Sequence, residues 1–238
     1  MLIRYEGYTS VTMKVLAIIP AYNEEESIDA TVTELVSVAP DVDYVVVNDG
    51  SRDGTAALCR QKGYPMIDLP VNLGLTAAFQ TGMKYAYRKG YDYAVQFDAD
   101  GQHRPEFIRM MVDAAVRGGA GIVVGSRFVE KEKGFSARMA GSALISSIIR
   151  MTTGRKITDP TSGMRLYDKT IIERFAKGHD FAPEPDTVAY LARCGTKVCE
   201  IQVDMRDRTA GESYLSFTKS ISYMARTCAS ILFLQWFR

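Results

Sequence analysis

The chain has 238 residues, of which 47% are hydrophobic and 24% charged, and its formal net charge is +1. That length supports one substantial α/β domain with a buried core, and the near-neutral balance argues neither for nor against nucleic acid, so any anion site must come from local clustering. The four cysteines (Cys59, Cys194, Cys199, Cys228) form no CxxC pair and no zinc-like spacing with His103 and His179, which fits reduced thiols in the cytosol better than a disulfide frame or a metal cluster.

Residues 1–13 read as a flexible extension, since Met1 to Thr12 is polar and mixed with no apolar signal region, and Met13 is an alternative start. From Lys14 the chain alternates two periods. Val15 to Ile19 is a short apolar run ended by Pro20, Glu25 to Ala39 is helical in composition, and Asp43 to Val47 is β-branched and apolar. Asp53 to Gln61 reads as helix, Pro65 to Leu69 as strand, and Thr76 to Arg88 as a long helix. Tyr93 to Phe97 is a further strand, Pro105 to Arg117 a helix with proline in its first turn, and Gly121 to Val124 a fifth strand. Strands apolar on both faces and separated by helices predict a mostly parallel central sheet covered on both sides, with ligands at the carboxyl ends of its strands.

After Gly125 the rhythm breaks. A basic, Gly- and Ser-rich stretch from Arg127 to Arg138 leads to an apolar helix, Ala143 to Met151, then a turn-rich segment from Asp159 to Gly163 and a strand from Met164 to Tyr167. Asp186 to Cys194 reads as helix and Lys197 to Val203 as strand. Residues 216–238 form an amphipathic helical tail of one or two helices, with Trp236, Phe237 and Arg238 suited to an interface. No run approaches the roughly 18 apolar residues that span a bilayer.

Polar motifs close three of the strands. Pro20-Ala21-Tyr22-Asn23-Glu24 ends the first and Asn48-Asp49-Gly50-Ser51 the second, where Asp49 is placed to accept a hydrogen bond from a base N–H. A plain turn, with Asp53 as a helix cap, explains the second motif equally well. No GxGxxG follows the first strand, which disfavours a dehydrogenase-type nucleotide fold. The fourth strand ends Asp98-Ala99-Asp100-Gly101-Gln102-His103. Two carboxylates one residue apart at the end of a buried strand repel each other unless a cation lies between them. Mg2+ or Mn2+ shared with a diphosphate relieves this, with Gln102 as a further oxygen ligand and His103 in a secondary role.

These motifs, together with Asn72-Leu73-Gly74, stand in the order and spacing of family 2 glycosyltransferases of the GT-A fold. The likeness runs from about Lys14 to about Ser216, and is closest to the dolichol-phosphate mannose synthase branch and its bacterial polyprenyl-phosphate relatives. The resemblance implies a GT-A catalytic domain over 14–215. It implies that Pro20, Ala21, Tyr22, Glu24, Asp49, Asn72, Gly74, Asp98 and Ala99 hold a nucleotide-sugar, and that Asp98, Asp100 and Gln102 hold the metal. Gly125-Ser126-Arg127 and Asp159-Pro160-Thr161-Ser162-Gly163-Met164-Arg165 also match. Arg206-Asp207-Arg208-Thr209-Ala210-Gly211-Glu212-Ser213 resembles the family's loop over the donor diphosphate, with Arg208 and Ser213 at its key positions and Tyr214 where a lysine is usual.

The acceptor divides the readings. A sugar hydroxyl needs a positioned base, whereas a lipid phosphate is already ionised and needs cationic clamps. The resemblance puts that phosphate beside Arg127 and Arg138, whose forks grip two oxygens, while Lys131 and Lys133 fit a solvated loop equally well. Glu184 and Asp186, held by Pro183 and Pro185, are the candidate bases for the alternative, a hydroxyl acceptor in a surface polysaccharide. A non-catalytic nucleotide-sugar-binding subunit is the reading of another class. The expected setting is the inner, cytoplasmic face of the membrane, bound peripherally. The anchor stays open between the tail, a small membrane-protein partner and a homo-oligomer, and no nucleic acid is expected as partner.

Overall fold

The computed structural model describes residues 2–3, 11–130, 137–178, 181–206 and 217–233. A short antiparallel pair, β1 (Leu2–Ile3) with β2 (Val11–Thr12), lies within the stretch expected to be flexible. Then follow β3 (Val15–Ala21), α1 (Ile28–Val38), β4 (Asp43–Asn48), α2 (Thr55–Lys62), β5 (Met66–Asp68), α3 (Leu75–Lys89), β6 (Tyr93–Gln96), α4 (Glu106–Gly118) and β7 (Ile122–Ser126). The remainder is α5 (Ala137–Thr153), β8 (Arg165–Asp168), α6 (Lys169–Lys177), α7 (Pro185–Arg193), β9 (Val198–Gln202) and α8 (Phe217–Leu232).

The sequence of β3, Val-Leu-Ala-Ile-Ile-Pro-Ala, explains its central place. Successive side chains point to opposite faces of a strand, so Val15, Ala17, Ile19 and Ala21 enter one core while Leu16 and Ile18 enter the other. The first core is closed by α1 (Val32, Leu35), α2 (Cys59) and α4 (Ile108, Met111). The second is closed by α3 (Phe79, Met83), α5 (Ile145, Ile149), α6 (Ile171, Phe175), α7 (Val188, Leu191) and Ile231 of α8. Helix α3 lies directly on the strand: a Cβ at Gly82 would come within 2.3 Å of Ile18 Cγ2. Each fully buried aliphatic side chain in these layers contributes about 1.5–3 kcal/mol.

The strand order is β5-β4-β3-β6-β8-β7-β9. β4 and β6 flank β3 in parallel, and β5 and β9 extend the sheet in parallel at either end. β8 alone runs the other way, slotted between β6 and β7. Its reversal sends the loop that precedes it, 159–164, to the edge where β3, β4, β6 and β7 end. All the strand-end motifs therefore meet along one edge.

One helix escaped the sequence reading. α6 follows β8 without a break, capped by the Asp168 carboxylate, which accepts from Ile171 N–H at 2.9 Å. The cap and the spacing of Ile171, Ile172 and Phe175 were visible signals. α5 begins at Ala137, one and a half turns before the expected start, and its Ile145, Ile148 and Ile149 belong to the core rather than to a free surface. All four cysteines are free thiols.

Candidate active site

The loops after β3 and β4 are sewn together by side chains bonding backbone. Asn23 takes a left-handed conformation (φ 56°), which asparagine tolerates better than most residues. Its N–H donates to Ser51 Oγ at 3.0 Å, and its side-chain oxygen accepts from Arg52 N–H at 2.8 Å. Glu24 N–H donates to Thr55 Oγ1 and Glu25 N–H to Asp53 Oδ2, while Glu25 accepts in return from Gly54 N–H. The Glu24 carboxylate accepts from Ser27 Oγ at 2.6 Å. Burial pushes the Asp53 carboxyl up, but the Thr55 hydroxyl and the N–H groups of Thr55 and Glu25 outweigh it and hold the group below its ordinary value. Pro20 and Tyr22 are half-buried and Ala21 is buried on this edge.

Asp49 is 3% exposed and uses one oxygen on Leu73 N–H and the other on Gly74 N–H, each at 2.8 Å. It thereby fixes the loop carrying Asn72 and Gly74, and any base N–H would have to use its remaining lone pairs. Gly50 (φ +64°) lets this loop close, because a Cβ there would sit 2.4 Å from the Val71 carbonyl carbon. Val71, Asn72 and Leu73 remain exposed at the lip of the crevice.

The carboxylate pair stands at the end of β6. Buried Thr31 of α1 holds the loop from below by donating to the Ala99 carbonyl at 2.8 Å. The Asp98 side chain is 33% exposed, while Asp100 is 4% exposed and accepts from Gln102 N–H at 3.1 Å. Gln102 is tied to Arg206 in both directions, its side-chain amide donating to the Arg206 carbonyl and its own carbonyl accepting Arg206 N–H. Arg206 in turn forks onto Glu34 of α1 with both contacts at 2.8 Å.

Across the edge, Arg127 follows β7. Its Nε and Nη2 grip Asp159 at 2.7 and 2.9 Å, and its backbone N–H reaches the same carboxylate. Asp159 is fully buried, and its hydrogen bonds hold the Arg127 proton more tightly than usual, against a burial effect of opposite sign. Glu200 of β9 buttresses the loop by accepting from the N–H groups of Thr158 and Asp159. Ser162 Oγ donates to the Gly125 carbonyl, and a Cβ at Gly163 would lie 2.8 Å from Asp98 Oδ2. The 159–163 loop thus touches both Arg127 and Asp98. Its role as the pin between them was not legible, because Arg127 and Asp159 carry no local spacing signal.

The two candidate bases do other work. Glu184 accepts from the Tyr223 hydroxyl and Asp186 from Ser230 Oγ, so both dock α8 onto the start of α7. Burial, and then the charge of Glu184, push the Tyr223 hydroxyl above its ordinary value. The side chain of Arg138, and the whole of Arg208, Ser213, Tyr214, Trp236, Phe237 and Arg238, lie outside the described residues.

Residues 16–175 match the family model for glycosyl transferase family 2. An undecaprenyl-phosphate mannosyltransferase of Micrococcus luteus is 35% identical over 220 residues, covering 86% of this chain and 88% of that protein. A polyprenol monophosphomannose synthase of Mycolicibacterium smegmatis is 31% identical over 220 residues, covering 86% and 82%. Among solved structures, glucosyl-3-phosphoglycerate synthase of Mycobacterium tuberculosis, in complex with Mn2+, uridine diphosphate and phosphoglyceric acid, superposes with a TM-score of 0.68 at 19% identity, covering 94% of this chain and 78% of that one. That likeness shows the GT-A fold. The chain belongs to glycosyl transferase family 2 and is a glycosyltransferase.

Proposed function

We propose that this family 2 glycosyltransferase moves a sugar from a UDP- or GDP-sugar to a polyprenyl phosphate in one inverting step, with a divalent cation and without a general base. The acceptor named for both curated relatives, a polyprenyl or undecaprenyl phosphate, supports the reading. The observation that carries it is the use of Glu184 and Asp186: the carboxylates suited to deprotonating a hydroxyl are bonded to Tyr223 and Ser230 of α8. A phosphate acceptor needs no such base, because its oxygen is already anionic near neutral pH.

Among the described residues, no group of three His, Cys, Asp or Glu side chains converges to hold a metal. Asp98 and Asp100, with Gln102, offer the oxygen donors that would hold a hard cation such as Mg2+ or Mn2+. Bound there, the cation neutralises charge on the departing nucleotide diphosphate. The loops after β3 and β4, with Asn72 and Gly74, hold the nucleotide. Arg127, through the donors not bonded to Asp159, and Arg138 are the cations assigned to the acceptor phosphate. In the reaction a phosphate oxygen forms a bond to the anomeric carbon as the bond from that carbon to the donor diphosphate breaks, and the nucleotide diphosphate leaves with the electron pair. The resemblance assigns Arg208 and Ser213 to that diphosphate.

No helix among the described residues is long and apolar enough to cross a membrane. Contact with the lipid is peripheral, through the exposed Leu144 and Met151 of α5 and Phe233 after α8, at the inner face of the membrane.

A transfer assay with Mn2+ or Mg2+, radiolabelled UDP- and GDP-sugars and undecaprenyl phosphate in detergent tests the reading. A labelled lipid that disappears in Asp100→Ala supports it and identifies the donor. Arg138→Ala should raise the lipid KM with donor binding kept. Metal-dependent donor hydrolysis with no lipid product, and transfer to free oligosaccharide that is abolished by Glu184→Gln, would replace it with the hydroxyl-acceptor reading.

A further inference from the structure

We infer that His103 is a positioning residue that locks the Asp98 carboxylate in place through a tautomer dictated by the fold, and that it is not a ligand of the cation. The inference rests on the reading that Asp98 holds the cation. His103 is 2% exposed, and its Nδ1 accepts the Asp98 backbone N–H at 2.9 Å. A nitrogen that accepts a hydrogen bond carries no proton, so the ring proton sits on Nε2. Nε2 stands 3.5 Å from Asp98 Oδ2, so the protonated nitrogen lies beside the carboxylate of the same residue whose backbone the ring already holds.

Phe97 packs against the ring edge-on, with centroids 5.7 Å apart and planes at 69°. On the Asp98 side, a Cβ at Gly163 would meet both Cε1 and Nε2 at 3.4 Å. The other carboxylate oxygen, Oδ1, accepts from Gln96 Nε2 at 3.2 Å. Asp98 is thus held at its backbone N–H by His103 and at Oδ1 by Gln96, with Nε2 of the ring beside Oδ2, and each oxygen keeps lone pairs for a ligand. His103 has none to offer a metal, because one nitrogen is occupied by the backbone and the other bears the proton. This arrangement is the outer-shell support that raises ligand order around a metal.

Nitrogen-15 NMR of the two histidines reads the tautomer without mutation, with His103→Asn assigning the signals. The Nε2–H form is expected, and it should persist when Mg2+ and UDP are added. A proton on Nδ1, or loss of the Nε2 proton on adding Mg2+ and UDP, would overturn the inference. In parallel, Mn2+ affinity in the presence of UDP is read from the electron paramagnetic resonance of the free ion. His103→Asn, whose amide oxygen still accepts the Asp98 N–H, should keep the wild-type melting midpoint to within a few degrees and weaken Mn2+ binding about tenfold. Wild-type Mn2+ affinity in that variant would leave His103 merely structural. Unchanged Mn2+ affinity in Asp98→Ala would instead sink the cation reading itself, a failure separate from that of His103.

Discussion

The two sides of the edge are held by different physics. On the donor side, the loops after β3, β4 and β5 are joined by short-range bonds between polar side chains and backbone N–H groups, as when Asn23 grips Arg52 and Asp49 grips Leu73 and Gly74. On the side proposed for the acceptor, the loop before β8 is gathered on one buried carboxylate, Asp159, which binds half-buried Arg127, with Glu200 and Ser162 bracing the loop. Many small bonds degrade gradually when one is lost. A buried carboxylate that gathers several donors releases them all at once when it is removed.

The contrast can be broken most directly at Asp159. Asp159→Ala should cost about 3–5 kcal/mol in urea unfolding, since it unbonds the Arg127 side chain, the Arg127 backbone N–H and the Thr161 hydroxyl together, and a cost below about 1 kcal/mol would place the pair in the class of surface bridges. Gly50→Ala tests the donor side at its least forgiving point. Its left-handed backbone and the clash with Val71 predict a loss of about 1–3 kcal/mol, with the KM for the donor rising as the 71–74 loop is displaced. A loss as large as that of Asp159→Ala would erase the difference between the sides.

A smaller effect is expected at the seam between α7 and α8. Tyr223→Phe removes the bond to Glu184 and should cost about 1 kcal/mol, while the nucleotide KM stays at its wild-type value. If that KM changed, α8 would belong to the donor side. The smallest effect concerns acid. The folded value of Asp53 is depressed below the ordinary 3.8, so its contribution is complete above that value and disappears as pH falls through the lower folded one. Asp53→Asn should therefore lower the neutral plateau slightly while leaving stability at the acid end nearly unchanged, so that the acid limb flattens, as read by thermal melts between about pH 3 and 7.

The same contrast explains what could be seen in the sequence. Donor-side motifs are legible because their partners lie close in the chain or at strand ends with recurring turn chemistry, as in Asn48-Asp49-Gly50-Ser51. The parallel half of the sheet followed from alternating apolar runs and helices. The direction of β8 did not, since Arg-Leu-Tyr-Asp pairs equally well either way and only its neighbours decide. The same holds for the pairing of Arg127 with Asp159 and for the docking of α8 on Glu184 and Asp186, which join segments far apart in sequence. Asp49 shows the limit from the other side: the residue was singled out, but its two bonds to the 73–74 backbone depend on a loop conformation that no spacing encodes.

β8 has one more consequence, for the order in which the molecule comes into being. Leu166 pairs with Val95 of β6 on one flank and with Val123 of β7 on the other, so the strand fits only a slot whose walls come from earlier in the chain. Contacts between distant segments form late, because the loops they close cost entropy first. During synthesis the sheet from β5 to β6 can assemble while β8 is still to emerge. A growing chain therefore acquires the side proposed for the nucleotide before the side proposed for the acceptor, and the two meet only when the gap between β6 and β7 is filled.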